Sequence, residues 1–125
     1  MKNKKKILCV CAKGSNRSKY LAQYLRKKEY STRYGGIEDC AIKPLKKEYV
    51  DWADIIIIVR KRLLKIFKIK FPKTKNKIIL LDVTDSRRIA EKIHPELKAL
   101  NHEQFQKKWT RPLLRKAIKP YLPLK

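Results

Sequence analysis

Cys11 and Arg17 bracket a short polar stretch near the start of the 125-residue chain, and Ser18 follows directly. A cysteine thiolate is a strong nucleophile, and a planar guanidinium can bind two phosphate oxygens in a forked arrangement. A serine hydroxyl beside the thiolate can donate a hydrogen bond to it. These residue types at this spacing predict a site where a phosphoryl group is held and attacked in line.

The segments on either side of this stretch predict how it is positioned. Residues 7–10 form an apolar run of strand length, and apolar residues after Ser18 recur at helical spacing. A loop that passes from the carboxyl end of a strand into a helix N-terminus directs its backbone N–H groups towards one point, which attracts phosphate. We call residues 11–18 the phosphate loop. The phosphoryl group is expected to be bound by Ala12, Lys13, Gly14, Ser15, Asn16, Arg17 and Ser18.

Length and composition bound the fold class. With 125 residues, of which 43% are hydrophobic, the chain is expected to form one domain over residues 1–125. Residues 1–5 are predicted to be a basic leader, and residues 119–125 a Pro-containing tail. No apolar run is long enough to span a membrane, and the stretch after the leader is too short for a signal peptide. We therefore expect a cytoplasmic protein.

The net charge of +23 arises from 34 lysine and arginine residues against 11 acidic residues. A positive field of this size attracts polyanions such as nucleic acid, an acidic membrane surface or a phosphorylated acidic partner. A lysine-rich genome bias explains the same charge without a specific partner. Aromatic and basic residues are not interleaved in a known nucleic-acid motif, so any nucleic-acid binding is expected to be non-specific.

The cysteines predict a reduced chain without a metal centre. Their number is odd, and Cys9 and Cys11 are too close in sequence to form an easy disulfide. Cys9 is expected to pack as a small apolar residue within the strand, and Cys40 has no obvious partner. His94 and His102 stand apart from every cysteine, so no group has the spacing of metal ligands. We expect no metal and no cofactor.

Alternating apolar segments predict a parallel α/β sheet. A second short strand is expected to end at residues 34–36, whose two glycines mark a turn. Residues 55–59 are all β-branched, which is typical of a central strand covered on both faces, and residues 78–81 predict another buried strand. Helices are predicted over residues 44–53 and 60–71. In the second of these helices, the residues expected to face the core are Leu63, Leu64, Ile66, Phe67 and Ile69.

Phosphoryl transfer also needs a proton donor for the leaving oxygen, and a carboxylic acid on a neighbouring loop can supply it. Asp82 and Asp85 follow the strand predicted at residues 78–81. Because ligands bind at the carboxyl ends of parallel strands, this acid loop (residues 82–85) and the phosphate loop are expected to face one crevice. Either aspartate is a candidate, although Asp82, directly after the strand, is suited to hold the loop.

The remaining chain predicts helices. Residues 94–97 have the pattern of a helix start with proline in the first turn. Pro112 is expected to kink or divide the apolar helical pattern that follows, and Trp109 is expected to lie in the core.

The phosphate loop resembles the active-site loop of the low-molecular-weight protein tyrosine phosphatases, whose signature is a cysteine and an arginine at this spacing, followed by serine. It is similar in particular to a compact bacterial branch, the predicted tyrosine phosphatase-like proteins. Later stretches resemble that branch in the same order, namely residues 34–36, 51–56, 81–85 and 94–97. The resemblance implies a three-layer α/β sandwich with a four-stranded parallel sheet. It also implies that the loop of residues 37–43, which carries Glu38, Asp39 and Cys40, lies beside the phosphate loop and helps to shape the mouth of the site.

The resemblance also implies a function and residue roles. It implies a cysteine-dependent phosphatase that hydrolyses phosphotyrosine or a related phosphomonoester through a cysteinyl-phosphate intermediate. The substrate would be a phosphorylated protein or another anionic phosphomonoester. Cys11 would be the nucleophile, Arg17 the phosphate ligand and Asp85 the general acid.

Three positions depart from the usual family pattern. Gly14 stands where an asparagine usually braces the loop, and Lys19 stands where a proline commonly follows the serine. Residues 86–88 replace the aromatic residue that typically lies just past the acid. These changes bear more on phosphotyrosine preference than on phosphate binding. Lys13, Arg87 and Arg88 near the mouth favour a strongly anionic substrate, and Arg87 is a secondary candidate for the site.

Two other functions fit the same fold. One is a catalytically weak or inactive protein that binds phosphate or nucleic acid through its positive charge. The other is arsenate reduction, which commonly needs further cysteines after the loop, and only Cys40 is available here.

Overall fold

Four parallel strands form one sheet in the computed structural model, which describes residues 5–14, 16–84 and 86–124. The strands are β1 (Lys6–Cys11), β2 (Ser31–Gly36), β3 (Ile55–Ile58) and β4 (Lys77–Leu80). Their order across the sheet is β2-β1-β3-β4, so β1 and β3 are central. Both central strands are buried, with all four isoleucines of β3 at most 1% exposed. The predicted parallel sheet is confirmed.

Six α-helices connect and cover the strands within the described residues. They are α1 (Arg17–Arg26), α2 (Lys47–Trp52), α3 (Lys61–Lys70), α4 (Arg87–Ile93), α5 (His102–Phe105) and α6 (Arg111–Ile118). Helix α1 packs against β1, β2 and α6, while α2 and α3 pack against β1 and β3. Parallel strands need crossover connections, and these helices provide them. The architecture is the predicted three-layer α/β sandwich.

The register of the sheet positions the phosphate loop. In the pairing of β1 with β2, Cys11 lies opposite Gly36, so both strands end at the same edge. Strand β2 ends at Gly36, as predicted, but Gly35 and Gly36 belong to the strand and not to a turn. Their small size serves close packing: a Cβ on Gly35 would lie 2.9 Å from Cα of Leu45.

Two predicted helices differ from the observed ones. Helix α2 begins at Lys47 instead of residue 44, because Pro44 forms a β-bridge with Gly36 and keeps this segment extended. In α3, Leu63 and Phe67 are fully buried, but Ile69 is 78% exposed. Ile69 lies away from the stripe that these two residues form one turn apart, so its predicted place in the core is wrong.

The C-terminal part forms a smaller apolar cluster around Phe105, against which Trp109 packs partly buried. The predicted helix start at residues 94–97 is a 3₁₀ turn, Pro95–Ala99. A π-helical turn (Gln106–Thr110) precedes α6, in which Pro112 is at the start. The wider turn accommodates a proline, which lacks the N–H of a regular helix. No helix in the described part of the chain is long and apolar enough to cross a membrane.

Candidate active site

The sulfur of Cys11 lies at the end of the central strand β1, within reach of two donors. The hydroxyl Oγ of Ser18 is 3.0 Å from Cys11 Sγ, and the backbone N–H of Gly14 donates to it at 3.2 Å. Cys11 is only 2% exposed, and Ser18 is fully buried. Since both groups can donate, the arrangement suits a sulfur that carries negative charge.

Cys9 lies two residues earlier on the same strand and has a different environment. It is fully buried in the core, and burial, with a smaller effect of the Cys11 charge, raises the pKa of the Cys9 thiol. A thiol that does not ionise behaves as a small apolar group. The predicted structural role of Cys9 is therefore confirmed, and all three cysteines are free.

Gly14 is required by the packing of the phosphate loop. Its φ angle of 76° lies in the left-handed region, and a Cβ there would be 2.5 Å from the carbonyl oxygen of Lys43. A Cβ on Gly36 would in turn overlap the main chain of Lys13. The structure thus gives a reason for glycine at the position where the family usually has asparagine.

Backbone hydrogen bonds fasten the phosphate loop to the segment that follows β2. They run from Ile37 N to Cys11 O (2.9 Å), from Glu38 N to Ala12 O (3.1 Å) and from Lys43 N to Lys13 O (3.1 Å). Such contacts depend on the main chain alone, so they position the loop whatever side chains it carries.

Arg17 joins the two predicted loops. It is the first residue of α1 and is 6% exposed. Its NH1 donates to the carbonyl oxygen of Val83, in the acid loop, at 2.7 Å. Next to it, the Asn16 side chain donates to Oε1 of Gln106 at 3.0 Å. A backbone carbonyl therefore orients the guanidinium. A side chain that binds a ligand needs such a supporting contact.

A cavity of about 260 Å³ is lined in part by Cys11 and Arg17. Its lining consists of Cys11, Ala12, Lys13, Asn16, Arg17, Glu38 and Arg62. Five of these belong to the predicted phosphate loop, and Glu38 belongs to the loop of residues 37–43 that the family resemblance places beside it, whereas Arg62 was not predicted. Glu38 comes from the loop after β2 and Arg62 from the first turn of α3, and no local sequence pattern marks either of them.

Charged side chains at this cavity are paired with one another. Arg62 and, to a smaller extent, Lys13 hold the pKa of Glu38 below its usual range. The Lys13 ammonium donates to the sulfur of Cys40 at 2.7 Å, and this bond, followed by that to Glu38, raises the pKa of Lys13. The neighbouring Asp39 has a lowered pKa because it pairs with an α3 lysine.

Comparisons with known proteins give structural matches only. No protein-family model and no curated protein matches this chain. The Erwinia amylovora tyrosine phosphatase AmsI has a TM-score of 0.68 at 14% identity, covering 94% of this chain and 91% of that one. Vibrio vulnificus Wzb, solved in complex with benzylphosphonate, has a TM-score of 0.64 at 18% identity, with 95% and 97% covered. The YwlE arginine phosphatase from Geobacillus stearothermophilus has a TM-score of 0.58 at 20% identity, with 78% and 99% covered.

The chain has the fold of the low-molecular-weight protein tyrosine phosphatases. In this phosphatase fold, the acid loop begins with Asp82, whose φ angle of 57° is left-handed. The Asp82 carboxylate accepts a hydrogen bond from the backbone N–H of Lys61 at 3.0 Å and lies 3.7 Å from Nε of Arg60. Asp82 thus caps α3, as expected of a residue that holds the loop. Asp85 and Ser15, both predicted site residues, lie outside the described residues.

The structure does not bring Arg87 to the cavity of this phosphatase fold. Its guanidinium donates to the carbonyl oxygens of Leu97 (2.9 Å) and Leu100 (2.8 Å) and to Glu91 (3.1 Å). These contacts attach α4 to the 3₁₀ turn that follows it. The cation found at the mouth is Arg62 instead. Within residues 5–14, 16–84 and 86–124, no cluster of His, Cys, Asp and Glu could hold a metal ion.

Proposed function

We propose that this protein is a cysteine-dependent phosphatase that hydrolyses phosphotyrosine or a related phosphomonoester. The observation that supports it best is the surroundings of the Cys11 sulfur. The Ser18 hydroxyl and the Gly14 N–H lie within hydrogen-bond distance of it, at a cavity that Arg17 also lines. The names of structural neighbours such as the tyrosine phosphatase AmsI agree with this class of reaction.

The first step of the proposed reaction forms a sulfur–phosphorus bond. The thiolate of Cys11 attacks phosphorus in line, while Arg17 and the backbone N–H groups of the phosphate loop stabilise the charge on the equatorial oxygens. The bond between phosphorus and the ester oxygen breaks at the same time. Asp85 donates a proton to this leaving oxygen, so that an alcohol or a phenol departs.

The second step restores the enzyme with water. Asp85, now a carboxylate, removes a proton from a water molecule that attacks the phosphorus of the cysteinyl-phosphate. The sulfur–phosphorus bond breaks, and Cys11 leaves as the thiolate together with inorganic phosphate. No cofactor or metal is consumed in either step, and the proposed substrate partner is a phosphorylated protein or another anionic monoester.

Turnover of para-nitrophenyl phosphate tests this proposal. The wild-type protein should release nitrophenolate, whereas Cys11→Ser should lose at least about 10⁴-fold in kcat, as when a covalent nucleophile is removed. Cys40→Ser is the matched control, because Cys40 is an exposed cysteine. Cys9→Ser does not serve as a control, because Cys9 is buried in the core. Equal activity in wild type and Cys11→Ser would contradict the mechanism. Cys11→Ser should still bind benzylphosphonate, the ligand carried by Wzb.

A further inference from the structure

The mouth of the cavity carries two cations that share one carboxylate. Arg62 NH1 lies 2.8 Å from Oε2 of Glu38, and Lys13 Nζ lies 3.4 Å from Oε1 of the same side chain. All three residues line the cavity that contains Cys11 and Arg17. Each oxygen of the Glu38 carboxylate is therefore bound by a different cation.

The Glu38 carboxylate can leave these cations without a change of the main chain. The N–H of Glu38 is bonded to the carbonyl of Ala12 at 3.1 Å, which holds the backbone at the phosphate loop. The side chain itself is 26% exposed, so rotation about its own bonds brings the carboxylate into solvent. Ion pairs near the surface contribute little to stability, so exchange of this anion for another has a small cost.

We propose that Lys13 and Arg62 form a second anion site beside the phosphate loop, which Glu38 occupies until a doubly anionic substrate displaces it. The substrate class is a phosphomonoester with a further phosphate or carboxylate close to the reacting phosphoryl group. This inference rests on the proposed function, because the first anion is the phosphoryl group held by Arg17.

The charge and geometry of the two cations favour such a ligand. Arg62 presents a planar guanidinium that can bind two oxygens of a phosphate or carboxylate, and Lys13 adds a compact charge. Lys13 belongs to the phosphate loop and Arg62 to α3, and both line the cavity that Cys11 also lines. The two anions of the ligand would therefore be bound side by side, with the second one outside the sulfur pocket.

The test compares two inorganic probes by isothermal titration calorimetry on the full chain. Phosphate carries one phosphoryl group and pyrophosphate carries two. Wild-type protein should bind pyrophosphate about tenfold more tightly than phosphate, the gain expected from one charge-assisted contact. Arg62→Gln should lower this ratio about threefold or more, with Lys13 left as the remaining cation. Glu38→Gln, which removes the internal competitor, should raise it by a further factor of about three to ten.

A matched control separates local binding from net charge. Lys68→Gln removes the same charge from an exposed position of the same helix α3. It should therefore weaken the binding of phosphate and of pyrophosphate equally and preserve the ratio of their affinities. Circular dichroism checks that each variant is folded. The second site would be overturned if neither Arg62→Gln nor Glu38→Gln changed the ratio of pyrophosphate to phosphate affinity. It would also be overturned if Arg62→Gln and Lys68→Gln changed that ratio equally.

Because the titration measures binding and not turnover, the proposed function and the proposed anion site can fail independently of each other. A protein that prefers pyrophosphate through Arg62 but hydrolyses no aryl phosphate would overturn the proposed function and keep the anion site. A protein that hydrolyses aryl phosphate but has no pyrophosphate preference would overturn the anion site alone.

Discussion

The phosphate loop and the acid loop meet at the same edge of the sheet, but different parts of the chain hold them. In the phosphate loop the main chain makes the decisive contacts: the Gly14 N–H reaches the Cys11 sulfur, and Gly36 packs closely against the loop backbone. The acid loop is held by a side chain as well as by its main chain: the Val83 N–H donates to the carbonyl of Val59, and the carboxylate of Asp82 accepts from the N–H of Lys61 at the start of α3. Arg17 connects the two loops through the carbonyl of Val83.

This difference predicts two kinds of sensitivity to substitution. A loop held by its main chain tolerates changes of outward side chains, but it does not tolerate a Cβ where backbones touch. A loop that presents a catalytic carboxylate depends on that one group, since an amide of the same size cannot donate the proton.

Removal of the predicted acid should have the largest effect on turnover. Asp85→Asn is expected to lower kcat for phenyl phosphate by about 100- to 1,000-fold, within the contribution usual for a general acid. The loss should be smaller for para-nitrophenyl phosphate, because nitrophenolate leaves readily without a proton. Asp82→Asn makes the same chemical change in the same loop, and its kcat should fall much less. The reverse order would assign the acid to Asp82.

Much of the framework behind this comparison is predictable from local sequence patterns. The β-branched run of β3 indicates a central strand, and the apolar residues before Cys11 indicate that it ends a strand. The sheet and the loop therefore follow from signals within a few residues. The exposure of Ile69 was not predicted, because the prediction placed it in the core as an apolar residue although it lies off the helical stripe of Leu63 and Phe67.

The parts of the site without a local sequence signal come from distant segments. Glu38 and Arg62 reach the cavity because the order β2-β1-β3 brings the segments after β2 and β3 to either side of the β1 end. The contacts of Arg87 with carbonyls of the 3₁₀ turn likewise depend on how α4 packs. Such placements need the tertiary structure, since charged residues alone do not indicate a partner.

The two neighbouring glycines of β2 should separate stability from loop placement. Gly36→Ala is expected to lower the free energy of unfolding by about 1–3 kcal/mol and to weaken phosphate binding, because its Cβ would overlap the main chain of Lys13. Gly35→Ala is the matched control, since its Cβ would meet Leu45 instead. It should also destabilise the protein but should preserve phosphate binding. Urea denaturation and calorimetry measure the two effects, and equal losses of binding would contradict the proposed contact.

The hydroxyl beside the sulfur should have a smaller, purely kinetic effect. Ser18→Ala removes the group that lies 3.0 Å from Cys11 Sγ. We expect kcat for para-nitrophenyl phosphate to fall about tenfold, the size of one hydrogen bond to a charged group. KM should change little, because the hydroxyl contacts the nucleophile. Ser31→Ala, at an exposed position of β2, is the control. A rise in KM with kcat unchanged would instead make Ser18 a substrate ligand.

A modest effect on stability is expected where a side chain holds the acid loop. Asp82→Ala should lower the free energy of unfolding by about 1–2 kcal/mol, because alanine neither caps α3 nor favours the left-handed φ of 57°. Asp82→Asn should change it by less than about 0.5 kcal/mol, since asparagine adopts this conformation and its side-chain oxygen can still accept from the Lys61 N–H. Thermal or urea unfolding compares the three proteins. If Ala and Asn destabilise equally, the negative charge of Asp82 near Arg60, and not the cap, holds the start of the acid loop.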